Sequence, residues 1–268
     1  MTTLHHRRLT TAALLELLNL DAPSPLELDA EQRDALAQRF RSVAVLDRRR
    51  LDAWSVEHAG APQRHFVWSA ATARRSIGHR ALARWRRDSS TSLTQVVRDE
   101  IDELLVRAAS GYARGGSLAH WLARQPRAVL GLVTADAVTW VSELVDLLDP
   151  LDVEWEVPDT DAYYDVAGAQ TSLRARRDIV IPTATGRVLL RTRGGLPGRS
   201  AGPGLRTDLV IEALSHPHGV VAERCIGVWP DAGIALAVDG TLEDLRAGAR
   251  DLVRTAVAQA RHRPRIAA

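Results

Sequence analysis

Hydrophobic residues follow two different rhythms along this chain of 268 residues. From residue 10 to about residue 148 they recur every three or four positions, which is the pattern of helices that bury one face. After Pro150 they alternate with polar residues, which is the pattern of half-buried strands. The chain is therefore predicted to have a helical N-terminal region over residues 1–148 and a sheet-forming region over residues 149–268.

The first half is predicted to contain six helices. Four leucines between residues 14 and 18 give the first helix an apolar face, and Pro23 and Pro25 end it. Asp29 and the Ser/Thr cluster before residue 92 are expected to cap later helices. The remaining predicted helices cover residues 30–41, 72–87, 92–110, 117–124 and 134–148.

The second half is predicted to consist of strands with two helices among them. A hairpin is expected between strands over residues 172–181 and 187–192, because Pro182 and Gly186 mark a turn between them. Thr241 and Asp244 form a capping box that predicts the start of the last helix. The other predicted elements are a strand over residues 153–157, a helix over 205–214, and strands over 220–229 and 234–238. The predicted fold class is α/β, with the helical half packed on a mixed β-sheet core.

All basic residues are arginine, because the 35 basic positions include no lysine, and they face 33 acidic residues for a net charge of +2. Catalytic mechanisms that need a lysine are therefore excluded. The abundance of Ala, Leu, Arg and Val indicates that a GC-rich genome is the origin of this bias. Because the net charge is small, any binding of nucleic acid must come from local arginine clusters. Such clusters lie at residues 48–50, 74–75, 84–87, 174–177 and 261–265.

Cys225 is the single cysteine, so the chain forms no internal disulfide and its composition suits a reducing cytoplasm. We expect Cys225 to pack as a small apolar residue in a strand. Glu16 interrupts the apolar stretch near the N-terminus, and no run of eighteen uninterrupted apolar residues follows. The protein is therefore expected to be cytoplasmic and to have no membrane partner.

The densest chemical signal is the segment LRARRDIVIPTATGRVLLRTRGG, residues 173–195. Asp178 lies on its first β-rich run, and Arg191-Thr192-Arg193 closes the second. This layout resembles the RecB-like branch of the PD-(D/E)XK nuclease superfamily, whose core is a restriction-endonuclease-like sheet with the element order αβββαβ. The resemblance spans most of residues 150–263 and reaches back more weakly to His79.

In that family a histidine, two acids and a lysine gather at one sheet edge, bind magnesium or manganese, and activate water for phosphodiester cleavage. Carried over by position, His79 matches the histidine and Asp178 the first acid. Arg191 stands at the second acid and Arg193 at the lysine. Arginine repels a divalent cation and favours phosphate. The resemblance therefore implies a degenerate active site, in which Asp178 and Arg193 remain of the catalytic set.

An active site survives in a second interpretation, in which the following helix supplies a relocated acid. Asp208 and Glu212 are four residues apart and therefore share one helix face. With Asp178 and His79 they would ligate Mg²⁺, and Arg193 would stabilise transition-state charge without carrying a proton. The competing interpretation places both acids on a solvated helix face and predicts no cofactor.

Arginines at period-two spacing on neighbouring predicted strands indicate a phosphate-binding strip on one sheet face. The four arginines are Arg174, Arg176, Arg191 and Arg193. Trp85, which is flanked by arginines on a basic helix, is expected to stack on a base. The competing interpretation is that these arginines form ion pairs or a solvated face.

The sequence favours a DNA-binding protein of nuclease-like fold whose active site is degenerate, working with a protein partner in a DNA repair or recombination assembly. The first alternative is an active Mg²⁺-dependent DNA nuclease. The second is a scaffold in which the fold survives only as a protein-interaction surface.

Overall fold

The computed structural model describes residues 4–20, 23–41, 49–58, 67–166 and 171–261, and over these residues the chain is mixed α/β, as the sequence predicts. In chain order the helices are α1 (Thr11–Asn19), α2 (Ala30–Arg41), α3 (Ala53–Glu57), α4 (Ala70–Arg87), α5 (Leu93–Ala109), α6 (Leu118–Leu122), α7 (Arg127–Leu148), α8 (Ala201–Ser215) and α9 (Leu242–Arg261). The strands are β1 (Leu4–Arg8), β2 (Arg49–Leu51), β3 (Ala162–Asp165), β4 (Thr171–Ala175), β5 (Ile179–Pro182), β6 (Arg187–Thr192), β7 (Arg224–Trp229) and β8 (Ile234–Asp239).

The chain divides into two compact units. The sheet unit comprises Met1–Pro62 and Pro158–Ala268, and the helical unit comprises Gln63–Val157. This division differs from the boundary predicted at residue 148. The reason is that the N-terminal segment completes the sheet unit, where β1 joins the main sheet and α2 and α3 pack against α9.

A mixed five-stranded sheet in the order β1-β8-β7-β6-β5 forms the centre of the sheet unit. Strands β6 and β7 are parallel, and the other neighbouring pairs are antiparallel. A parallel pair needs a crossover connection, and α8 supplies it between β6 and β7. The predicted hairpin is confirmed for β5 and β6, whose turn closes with a hydrogen bond from the Thr183 amide to the Gly186 carbonyl at 3.0 Å.

A smaller sheet in the order β2-β4-β3 accounts for two differences from the predicted strands. Residues 172–181 form two strands rather than one, and β4 lies in this smaller sheet while β5 lies in the main one. The prediction that four arginines share one sheet face is therefore wrong, because Arg174 and Arg191 belong to different sheets. Residues 153–157 form no strand of either sheet, and Trp155 is instead buried in the helical unit, where the Arg86 guanidinium stacks 4.5 Å from its ring.

The N-terminus begins with a strand where the sequence pattern predicts only a helix. Strand β1 pairs antiparallel with β8, so His6 lies opposite Leu236. Helix α1 starts afterwards, with the Thr10 hydroxyl accepting a hydrogen bond from the Ala13 amide at 3.1 Å. Of its predicted apolar face, Leu14 and Leu17 are completely buried, whereas Leu15 is 38% exposed.

Helix α8 is buried on nearly all sides because it contacts both sheets. It packs against β7 and β8 of the main sheet, against β3 and β4 of the smaller sheet, and against α3 and α9. Leu205, Leu209 and Leu214 belong to the resulting core. A helix in this position is expected to be apolar all round, so its buried carboxylates need partners.

The helical unit is built from α4, α5, α6 and α7, at or close to predicted positions. Helix α7 begins seven residues before its predicted start and buries Val133, Ala137, Trp140 and Leu144. Within the described residues, α7 is the one helix long and apolar enough to pass a length-and-composition test for a membrane span, and core helices of soluble proteins pass the same test.

The crossing of α8 and α9 depends on a missing side chain at Gly248. A Cβ there would lie 2.5 Å from the Arg206 carbonyl oxygen, which is backbone and unable to move aside cheaply. We predict that Gly248→Ala lowers the free energy of unfolding by about 1–3 kcal/mol, because overpacking outweighs the better helix propensity of alanine.

The matched control is Gly131→Ala in α7, where an added Cβ meets no atom of the described residues within 4 Å. This variant should gain about 0.5–1 kcal/mol from propensity alone. Urea denaturation followed by circular dichroism measures both. Equal effects of the two substitutions would contradict the packing argument.

Candidate functional site

The hairpin register brings Asp178 beside the end of β6. Ile179 pairs with Leu190, so Asp178, one residue before β5, stands next to Arg191 and Thr192. Its Oδ2 accepts hydrogen bonds from the Thr192 amide at 2.8 Å and from the Thr192 hydroxyl at 3.2 Å. Asp178 is 1% exposed and Arg191 is fully buried, so both charges lie in the protein interior.

Arg191 lies between the two acids of α8. Its Nη2 donates to Glu212 Oε1 at 3.1 Å, and its Nε lies 3.4 Å from Asp208 Oδ2. Asp208 and Glu212 are each 1% exposed, and their four-residue spacing turns both carboxylates toward the guanidinium. The interpretation of these acids as a solvated helix face is therefore wrong.

Neighbouring arginines complete the pairing of these carboxylates. Arg193 Nη2 donates to Asp208 Oδ2 at 2.6 Å, and Arg193 Nε lies 3.4 Å from Glu57 Oε1. Arg177 donates two hydrogen bonds to the Glu212 carboxylate, from Nε and from Nη2, both at 3.0 Å. Such two-pronged bonds are the strong form of arginine–carboxylate contact.

We call this cluster the arginine–carboxylate network. Its four acids and five arginines are Glu57, Asp178, Asp208 and Glu212, with Arg176, Arg177, Arg187, Arg191 and Arg193. Burying an ion without a partner costs several kcal/mol, and removing one member of a buried pair leaves the other uncompensated. The buried members, Asp178, Arg191, Asp208 and Glu212, therefore form a structural unit in which each charge needs a partner.

Burial and pairing shift the pKa values in the network in opposite directions. Burial raises the pKa of Asp208 and of Glu57 above their ordinary values, although arginines oppose the shift. Burial also acts to raise the pKa of Glu212, but Arg191 and the hydrogen bonds from Arg177 outweigh it, so this pKa is lowered. Nearby carboxylates, with Asp208 first among them, outweigh burial and raise the pKa of Arg191.

Cys225 lies close to this site on β7 and is fully buried, as its predicted role as a small apolar residue requires. Burial raises the pKa of its thiol to about 12. The thiol is therefore protonated at neutral pH and is unsuited to act as a nucleophile.

The residues present do not fit a divalent cation. Arg191 already occupies the space between Asp208 and Glu212, and a second cation beside it would be repelled. In the part of the chain that the structure describes, no group of three or more His, Cys, Asp or Glu side chains is arranged to hold a metal ion. The predicted Mg²⁺ set of Asp178, Asp208, Glu212 and His79 therefore stays a prediction that this geometry does not support.

His79, the fourth member of that set, belongs to the helical unit. It is buried in α4, and its ring packs edge to face against Trp140 at 4.9 Å. That packing is a structural role, and the ligand role remains an expectation from the resemblance.

The predicted phosphate-binding residues differ in how far they reach solvent. Arg191 is completely buried, so its predicted contact with DNA is corrected to an internal ion pair. Arg193 is 16% exposed and bonded to Asp208. Arg174 Nε donates to Asp161 at 2.7 Å, and Arg176 Nε lies 2.8 Å from Asp178 Oδ1.

The remaining predicted nucleic-acid contacts are only partly described. Trp85 is half-buried on α4, between exposed arginines at positions 84 and 86. Two of the predicted arginine clusters lie wholly or partly outside the described part of the chain. They are the side chains of residues 48–50 and, in the cluster at residues 261–265, residues 262–265.

Sequence reasoning missed Glu57, Arg177 and Arg187 as members of the network. Glu57 ends the five-residue helix α3, far from the other members in sequence, and no local pattern points to it. Arg177 was visible as part of an arginine run, but its partner on α8 was not. No family model, curated protein or solved structure matches this chain. The geometry of the site is therefore the guide to function.

The opposite pKa shifts predict opposite effects of two substitutions on acid stability. Glu212 has a lowered pKa, so its contribution is complete above its ordinary value of 4.5 and is lost as pH falls through the lowered pKa. Glu57 has a raised pKa, so the folded state gains stability from protonation as pH falls toward 4.5. As the pH falls, the free energy of unfolding should therefore decrease less steeply in Glu212→Gln than in the parent protein, and more steeply in Glu57→Gln.

Urea denaturation at several pH values between about 3.5 and 6.5 measures how the free energy of unfolding of each variant depends on pH, with the parent protein as reference. If the pH dependence of the free energy of unfolding changed in the same direction in both variants, the pKa values of the two carboxylates would not be shifted in opposite directions.

Proposed function

We propose that this protein binds DNA through a nuclease-like fold that no longer cleaves it. The observation that carries the proposal is the buried Arg191 guanidinium between Asp208 and Glu212. Where the resemblance expects a metal ion, the protein supplies its own fixed positive charge.

The nuclease-like interpretation is supported by the order of elements around this charge. Strands β5 and β6 form a hairpin, α8 crosses over, and β7 returns parallel to β6. Asp178 and Arg191 stand side by side at the strand ends where the resemblance expects two acids. One departure is that β4, the strand before the hairpin, pairs within the smaller sheet.

Loss of hydrolysis follows from the chemistry of the side chains. Phosphodiester cleavage needs a group that polarises the phosphoryl oxygen and a base that activates water. Arginine cannot accept a proton near neutral pH, so neither Arg191 nor Arg193 acts as that base. Asp178 already accepts bonds from Thr192 and faces Arg176 at 2.8 Å. The carboxylates are held in ion pairs rather than presented to a substrate.

Binding of DNA is supported by arginines that are exposed outside the network, such as those at positions 84 and 86 beside Trp85 on α4. A partner protein in a repair or recombination assembly belongs to the same proposal.

A protein scaffold is the second candidate, and one observation favours it. Arg174 is paired with Asp161 and Arg176 with Asp178, so these cations are partly neutralised before any phosphate arrives. The two candidates differ in one measurable property, since phosphate contacts release counterions and make binding depend steeply on salt.

Fluorescence anisotropy of labelled duplex and single-stranded DNA over about 50–300 mM salt tests the proposal. We expect binding whose log–log slope is steeply negative, and no cleavage of linear or circular DNA with Mg²⁺ or Mn²⁺. Absence of binding at low salt would favour the scaffold. Cleavage that disappears in Asp178→Ala would establish an active nuclease, whereas cleavage that persists in that variant indicates a contaminant.

A further inference from the structure

Helix α9 buries one face and exposes arginines on the other. Its core face carries Leu245, Ala249, Leu252 and Ala256 at helical spacing. Over residues 242–258, where its side chains are described, the exposed positions are Glu243, Arg246, Arg250 and Arg254. The three arginines are four residues apart and form a stripe along one side of the helix. We call them the α9 stripe.

Like charges at four-residue spacing destabilise a helix slightly, so a stripe of one sign is not the arrangement that helix stability favours. Helix α5 of the same chain shows the favourable arrangement, because its exposed face mixes signs and Arg107 bonds Glu103 at 2.6 Å. On α9 the one exposed acid of residues 242–258, Glu243, precedes the stripe, and the three exposed positions that follow it are all arginine.

The stripe is poorly neutralised by its surroundings. Neither Arg246 nor Arg250 forms an ion pair with a carboxylate of the described residues. Arg254 lies 3.6 Å from Asp251, a carboxylate that Arg206 also holds at 3.3 Å. The Arg254 side chain is 77% exposed, so this pair is heavily screened and weak.

We infer that the α9 stripe, rather than the arginine–carboxylate network, carries the phosphate contacts of bound DNA. The inference rests on the proposed DNA-binding function and names its surface. A helix rises about 1.5 Å per residue, so Arg246 and Arg254 are separated by about 12 Å. Each 3.4 Å step along the duplex axis adds one phosphate to a strand, so this length spans roughly three to four such steps.

A nucleic-acid backbone fits the stripe better than an anionic membrane does. Helices that lie on membranes insert an apolar face beside their basic face. In α9 the apolar face is already buried in the protein core, and Leu245 and Ala249 are fully buried. Guanidinium groups also bind phosphate oxygens in pairs. Further along the sequence, Arg261, Arg263 and Arg265 are also basic.

The test compares three versions of the full chain with the parent protein in the DNA anisotropy assay. The first is Arg246→Gln/Arg250→Gln/Arg254→Gln, and the second keeps the charge as Arg246→Lys/Arg250→Lys/Arg254→Lys. The third removes three exposed arginines that do not line up, as Arg98→Gln/Arg114→Gln/Arg127→Gln. The first and third have the same net charge, so their difference isolates position. Circular dichroism and urea denaturation check that each version is folded.

We expect the glutamine stripe variant to bind about a hundredfold more weakly near 0.1 M salt, with a salt slope smaller in magnitude by about 2 to 3. The lysine variant should retain most of the binding and of the slope. The scattered variant should stay within a few-fold of the parent.

Other results separate the inference from the proposed function. A parent that binds DNA and a stripe variant that binds equally well would overturn the inference and leave the function intact. An equal loss in the scattered variant would also overturn it, since net charge alone would then explain binding. A parent protein that does not bind DNA would contradict both the inference and the proposed function. If that protein instead bound phosphatidylserine vesicles through the stripe, the stripe would be assigned to a membrane.

Discussion

The fold of the sheet unit depends on the internal pairing of Arg191 with Asp208 and Glu212. Helix α8 lies against both sheets, so its two carboxylates have no access to water and must be neutralised within the protein. Arg191 reaches them from β6 and thereby ties the crossover helix to the strand that precedes it. Removing one partner would leave a buried charge uncompensated, which typically costs about 3–5 kcal/mol.

The same pairing explains why the proposed DNA-binding function does not rest on this site. A site whose negative charge is already matched by fixed guanidinium groups has little use for a divalent cation, and its arginines have little left for phosphate. A DNA-binding surface must then draw on charges that are not committed to the interior. The exposed arginines of α9 have that property, and their helix is anchored to α8 through the contact at Gly248.

Local sequence signals predicted the elements whose formation is local. Pro182 and Gly186 gave the β5–β6 turn, and Thr241 with Asp244 gave the start of α9, where the two side chains bond at 2.7 Å. Non-local features were not predictable. Strand β1 forms because β8 offers an open edge, and the spacing of Asp208 and Glu212 is the same whether their face meets water or a sheet. Glu57 belongs to the network although its helix, α3, is far from the other members in sequence, and no sequence pattern predicts this contact.

The most direct test is the free energy of unfolding of the parent protein and of Arg191→Met, each measured with and without Mn²⁺. If the guanidinium takes the place of a metal ion, Mn²⁺ does not change the free energy of unfolding of the parent protein. The variant then loses about 3–5 kcal/mol and recovers part of that loss when Mn²⁺ is added. A parent that Mn²⁺ stabilises, with the effect abolished by Asp208→Asn, would contradict the account, as would an Arg191→Met variant as stable as the parent.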